Sequence, residues 1–174
     1  MSTLKTNTIQ AATGSTVNVA SGQVLSQPGA VIQFVSHRWN DLTDTTSASY
    51  VDLTGSSFNF TPKLASSKLY IQASCSMTLT RSTNAHYSSI KIVHGGTDIE
   101  APGDRFEVGM SATGITAFET YQRVYKNGYV DAGNTNARAI KLQVALNATA
   151  SSAQTRFNVN NYFYSYIDVM EIAQ

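Results

Sequence analysis

Charge is what this sequence has least of. Lys, Arg, Asp and Glu make up 13% of its 174 residues, about half the share of an ordinary globular chain. Twelve basic residues against 11 acidic ones leave a formal charge of +1. With no cluster of Lys and Arg, the chain cannot neutralise a row of phosphates, so nucleic acid and anionic membrane surfaces lose their electrostatic basis as partners. Long apolar runs are missing too. None approaches the ~18 residues of a membrane span, and no membrane insertion is expected. The N-terminus lacks the basic-then-apolar layout of a signal peptide, from which production and use without export are expected. The one cysteine, Cys75, rules out a disulfide framework within the chain, and its inward place in a strand pattern predicts a buried structural thiol.

The signatures of chemistry are equally scarce. His37, His86 and His94 are far apart, and none stands in an HxH or HExxH ligand spacing. No GxSxG or paired-nucleophile pattern occurs, and Cys75 lies away from any base, so enzyme activity, a resident metal and a cofactor are not expected. The acidic run Asp98, Glu100, Asp104 and Glu107 lacks the ligand spacing of known calcium loops and reads as a solvated loop. The glycines of HGGTDI have neither the Lys-Ser/Thr ending nor the following helix of a phosphate loop, and predict a hairpin turn. The acceptor patterns at Asn59 and Asn147 are read as chance.

What the sequence does have is period-two alternation, and no stretch repeats apolar residues at helical spacing over three turns. In KLYIQASCSMTLT, Leu69, Ile71, Ala73, Cys75, Met77 and Leu79 face one way, and Tyr70, Gln72, Ser74, Ser76 and Thr78 the other. RAIKLQVALNA turns Ile140, Leu142, Val144 and Leu146 inward. RFNVNNYFYSYIDVMEI reads as one closing strand covered on both faces. Shorter strands are AVIQFVSHRW, YVDLTG, SFNFTP, SSIKIV and FETYQRVY. The turn chemistry between them includes TPKLASS, HGGTD and KNGYVDAGNTN. About eight such strands over residues 31–174, with no crossover helices, predict an all-β antiparallel β-sandwich of jelly-roll type, a closed barrel being the alternative. SQPGA punctuates the chain as a joint, giving a leader over 1–25, a Pro-Gly linker over 26–30 and a head domain over 31–174.

The leader contains TLKTNTIQAATGSTVNVASG, with Leu4, Ile9, Val17, Val19, Val24 and Leu25 as its apolar residues. Six such side chains cannot offset the ordering of some 25 residues, so the segment does not hold a structure by itself. Its paired β-branched residues call instead for strand partners from further copies or another protein. The segments Thr3–Gln10, Ala12–Val19 and Gln27–Val31 together resemble the N-terminal signature of bacteriophage fibre and virion-appendage proteins. The sequence from VIQFVSHRWND to LYIQASCS, and the ending YIDVMEIAQ, are similar to the head domains of that family. The resemblance implies a homotrimer on a virus particle, fixed by its N-terminus to capsid, neck or tail proteins, with the head outward. Carried over residue by residue, it implies docking through Leu4, Asn7 and Ile9, and a collar around the threefold axis from Val17 and Val19. Strand addition agrees with this, since backbone groups supply the bonds and a few apolar side chains set the register.

Nine tyrosines remain to be explained. Tyr162, Tyr164 and Tyr166 form a ladder expected to pack between subunits, where a ring supplies contact area and its hydroxyl finds a partner. Tyr121 and Tyr125, with Trp39, are candidate glycan contacts, because exposed rings stack on sugar faces. Two functions are consistent with these features: a structural virion appendage, and a receptor-binding head that recognises host cell-surface carbohydrate. A trimeric signalling head of the tumour-necrosis-factor type shares the sandwich but leaves the leader unexplained.

Overall fold

The computed structural model describes residues 27–80, 86–99, 106–110, 119–148, 154–158 and 164–174. All regular elements among them are strands: β1 Val31–Trp39, β2 Thr43–Thr45, β3 Val51–Asp52, β4 Phe58–Phe60, β5 Lys68–Thr80, β6 His86–His94, β7 Thr97–Asp98, β8 Phe106–Met110, β9 Glu119–Asp131, β10 Arg138–Ala148, β11 Gln154–Phe157 and β12 Ser165–Ile172. They form two six-stranded antiparallel sheets.

Several short strands share one position. In sheet A, β1 and β2 lie against β12 and β11, these two share one edge of β5, and β9 takes the other edge. In sheet B, β3 and β4 share one edge of β10, β6 takes the other, and β7 and β8 share the far side of β6. The twelve segments thus collapse to eight columns, which in chain order run 1-8-3-6 in sheet A and 2-7-4-5 in sheet B. Columns pair as nested hairpins, 4 with 5, 3 with 6, 2 with 7 and 1 with 8. That is the jelly-roll arrangement expected from the sequence, and not a closed barrel.

The alternating residues of β5 and β10 face each other across the sandwich. Leu69, Ile71, Ala73, Cys75 and Met77 meet Ile140, Leu142 and Val144 in one core, with Ile90, Ile92, Phe157, Ile167 and Val169 around them. Burial pushes the Cys75 thiol up to about 12, so it stays protonated and inert in the native protein. Two polar residues of β5 on the opposite parity, Ser74 and Thr78, are also buried; the Arg123 side chain reaches Ser74 and donates to its hydroxyl.

Three expectations meet the structure in detail, and two of them are corrected. The closing segment is two strands, not one: Asn158 takes a left-handed backbone, φ 56°, and ends β11. Its side-chain amide donates to the Asp41 carbonyl at 3.1 Å, and its oxygen accepts from the Ser165 hydroxyl. KNGYVD is not a turn but the last part of β9. Gly128 pairs with Ile71 there, and a Cβ on it would stand 3.3 Å from Ile99, so the glycine admits a close neighbour instead of a reversal. Strand β9 therefore runs for 13 residues. The HGGTD turn is a hairpin as predicted, with φ of 58° at Gly95 and 87° at Gly96 between β6 and β7.

The proximal pole of the sandwich holds the start of β1, β5 and β10 and the end of β6, β9 and β12. There the Pro28-Gly29 turn is tied to the end of the chain. Gly29 N–H donates to the Ala173 carbonyl at 2.8 Å, and Ala173 N–H to the Ala30 carbonyl at 2.9 Å. Glu171, fully buried, braces the same pole. Its carboxylate accepts from Lys63 N–H at 2.8 Å on both oxygens, from Leu64 N–H at 2.8 Å and from the Ser67 hydroxyl at 2.7 Å. The loop TPKLASS is thereby folded around an anion.

His94, also at this pole, is buried with Nε2 unpartnered. Burial, helped by the positive charge of Arg138, holds its imidazole below the ordinary 6.5. The unfolded chain therefore binds this proton more readily than the folded one. Stability is complete above about pH 6.5 and falls as pH drops through that value toward the folded pKa, by at most about 1.4 kcal/mol per pH unit. Urea titrations between pH 5 and 8 check this: His94→Leu should flatten that limb of the curve, and an unchanged slope would refute the assignment.

Candidate functional site

The two sheets differ in what they show to the outside. On sheet B the outer residues are charge-paired: Lys141 meets Asp52 at 2.7 Å, Lys91 meets Asp98 at 2.9 Å, and Lys91 also sits 4.2 Å over the Tyr50 ring. Gln143 donates to Asp52 as well, and these bonds hold the Asp52 carboxyl below its usual range, Lys141 contributing most. This is a solvated face.

The outer face of sheet A is aromatic. The registers β1–β12, β12–β5 and β5–β9 carry rows of side chains across four strands. Nearest the proximal pole is Val31, Ile172, Lys68, Asp131. The next row is Phe34, Met170, Tyr70, Tyr129, in which Phe34 is 55% and Tyr129 62% exposed and the Tyr70 and Tyr129 rings lie 4.9 Å apart. A polar row comes next, Ser36, Asp168, Gln72, Asn127. Beyond it lie Arg38, Tyr166, Ser74 and Tyr125, then Arg123 and Tyr121 along β9 toward the distal pole. Cross-strand apolar and aromatic pairs of this kind stabilise the sheet that carries them.

Arg123 fixes the distal half. Its Nε donates to the Ser74 hydroxyl at 2.7 Å and its terminal nitrogen to the Tyr164 carbonyl at 2.9 Å. Its guanidinium lies 5.4 Å over the Tyr166 ring. Beside it is a hollow of about 160 Å³ lined by Ser76, Met77, Tyr121, Gln122 and Arg123. Rings, a guanidinium and hydroxyls in one place can stack on and hydrogen-bond to a flat polar ligand.

The sequence-derived candidates divide between the face, the core and the undescribed segments. Tyr121 and Tyr125 are exposed at 58% and 54% on this same face. Tyr166 of β12 is half-buried beneath Arg123 on that face, and Tyr164, exposed and just ahead of β12, meets Arg123 through its backbone carbonyl. Trp39 is corrected: it points inward, 5% exposed in the core, with its ring stacked 5.7 Å from His37, and offers no surface to a sugar. His37 in turn stacks 4.8 Å from Phe58 of the opposite sheet, and its Nε2 lies 2.8 Å from the Gly55 carbonyl. Leu4, Asn7, Ile9, Val17, Val19 and Tyr162 lie outside the described residues, as do Glu100 and Asp104 of the acidic run. Among the described residues, no group of three His, Cys, Asp or Glu could hold a metal ion. Sequence reasoning misses the row Phe34, Met170, Tyr70, Tyr129, although Phe34 stands on the parity opposite to Val35, His37 and Trp39.

No protein-family model matches the chain, and no curated protein matches it. Among solved structures it is similar to infectious bursal disease virus of the Gx strain, at 11% identity over 91% of this chain and 46% of that one, with a TM-score of 0.42. The T13 particle of the same virus gives 12% identity over 91% and 40%, with a TM-score of 0.43. The chain thus spans less than half the length of either. A likeness of that extent carries no function across, and the functional reading rests on the side chains and the topology.

Proposed function

We propose that this protein is a structural component of a bacteriophage particle, a homotrimeric short fibre or decoration anchored by its N-terminal leader with the sandwich head outward. The observation that carries the reading is the pair of hydrogen bonds joining Gly29 and Ala30 to Ala173. They hold Gly29 and Ala30 at the proximal pole, and this supports a head whose leader, held by the particle, turns the distal ends of β5, β9 and β10 away from it. Leu4, Asn7 and Ile9 are the docking residues of this proposal, and Val17 and Val19 its collar. Docking by strand addition needs only backbone groups and a few pockets.

A chain beginning at Gln27 tests the anchor and keeps both bonds to Ala173. It should remain folded by circular dichroism and be absent from purified particles, where the full chain is present. Incorporation of the shortened chain at the level of the full one would end the anchoring proposal.

A second reading is favoured by the exposure of Tyr121, which lines the hollow at Arg123, and of Tyr125 on the same strand: a head that recognises host cell-surface carbohydrate. Recombinant head should then bind a glycan array or permissive cells saturably, and Tyr121→Ala with Tyr125→Ala should cut that binding at least tenfold. No binding to permissive cells would leave the structural role alone.

A further inference from the structure

We infer that a second copy of this chain packs on the proximal half of the outer face of sheet A, along Phe34, Met170, Tyr70 and Tyr129, with Val31 and Ile172 beneath them. The inference rests on the oligomeric reading and assigns it a surface. Four strands each contribute one side chain to the row Phe34–Met170–Tyr70–Tyr129. Phe34 and Tyr129, at its two ends, are both more than half exposed. An apolar strip that crosses a whole sheet is too continuous for scattered surface hydrophobics, and it marks a contact site.

Three observations identify the occupant. First, size: four columns at about 4.8 Å and half the length of β5 at about 3.3 Å per residue give the proximal half-face on the order of 400 Å², a small contact by the measure of stable interfaces, which suits copies already tethered to one another rather than a free partner. Second, position: Gly29 and Ala30, which follow the leader, are hydrogen-bonded to Ala173, at the edge of this same half-face. Copies joined through their leaders are held close to one another's Val31 and Phe34, which raises their effective concentration there above that of any untethered protein. Third, chemistry: the row of Ser36, Asp168, Gln72 and Asn127 bounds the apolar strip on its distal side. On its proximal side Lys68 and Asp131 stand as cross-strand neighbours, giving the apolar centre and polar rim of a subunit contact. Among the described residues, the charge-paired outer face of sheet B has no such centre.

Light scattering on the full chain at micromolar concentration provides the test. Followed on dilution, the natural sequence should give the trimer mass, and Phe34→Lys with Tyr129→Lys, held by the leaders alone, should dissociate at a concentration at least tenfold higher. Tyr121→Lys with Tyr125→Lys, on the distal side of the polar row, should keep the trimer. In a parallel measurement, Phe34→Cys should react with a maleimide at least tenfold more slowly than Thr97→Cys, Thr97 being exposed on sheet B, while buried Cys75 stays silent. This second measurement decides the matter if the double lysine variant does not fold. A monomeric natural chain would overturn the oligomeric reading and this inference together. A Phe34→Lys with Tyr129→Lys trimer that dissociates at the same concentration as the natural one, or a Phe34→Cys thiol as reactive as the control, would overturn only the assigned surface. Loss of the trimer in the Tyr121/Tyr125 variant alone would do the same and move the contact to the distal half.

Discussion

Replacing Glu171 by alanine is expected to remove about 3–5 kcal/mol of stability. The carboxylate is fully buried and is the common acceptor for two backbone N–H groups and one hydroxyl in the loop of Lys63, Leu64 and Ser67. Each buried donor left without an acceptor costs roughly 1–3 kcal/mol, and water reaching the partly buried Lys63 amide recovers some of that. With a urea slope of about 2 kcal/mol per M, the midpoint should move down by about 2 M. Glu171→Gln separates geometry from charge. It keeps the volume and one acceptor oxygen, but turns an NH₂ toward groups that are themselves donors, so about half the loss is expected. If both variants unfold within about 0.5 M of the natural chain, the loop does not depend on this anion.

The second large effect belongs to Phe157. It is fully buried at the end of β11, between Thr43 of β2 and Met77 of β5. Alanine there leaves a void that the two flanking strands cannot close, because Asn158 ties the same point to Ser76, Asp41 and Ser165. Buried Phe→Ala replacements cost about 3–5 kcal/mol. In a domain of this size that is a drop in melting temperature of roughly 8–15 °C. Phe157→Leu refills most of the volume and should cost less than half as much. A melting temperature for the alanine variant within about 3 °C of the natural protein would mean that the site collapses, against the packing described.

The core is legible where one strand carries its own instructions. Strands β5 and β10 alternate cleanly, and each assigned inward residue whose side chain is described is buried. Trp39 is legible too, provided its parity with Val35 is given more weight than its polar neighbours. The aromatic face of sheet A is not, because Phe34, Met170, Tyr70 and Tyr129 belong to four strands scattered along the chain. Only register makes them one row. Glu171 cannot be found from its neighbours, since its partners are backbone amides more than 100 residues away, and amides leave no mark in a sequence. The Asn-Gly pair in KNGY misleads for a related reason: glycine serves a reversal and a close approach equally well, and the approach of Ile99 is a tertiary fact.

The nesting of the eight columns has a consequence for synthesis. Val31, at the start of the first described strand, pairs with Ile172 of the last, β12. Sheet A therefore cannot close until β12 has been made, and before then only the innermost hairpin, β6 with β7 and β8, can form from local contacts. The leader is made first and is free to meet other leaders before any head exists. If assembly begins there, neighbouring nascent chains enter folding already tethered, each with an aromatic face and unpaired strand edges exposed. Such species are prone to exchange strands or aggregate, and a slow final step led by the last strand, β12, is the kinetic signature this topology imposes.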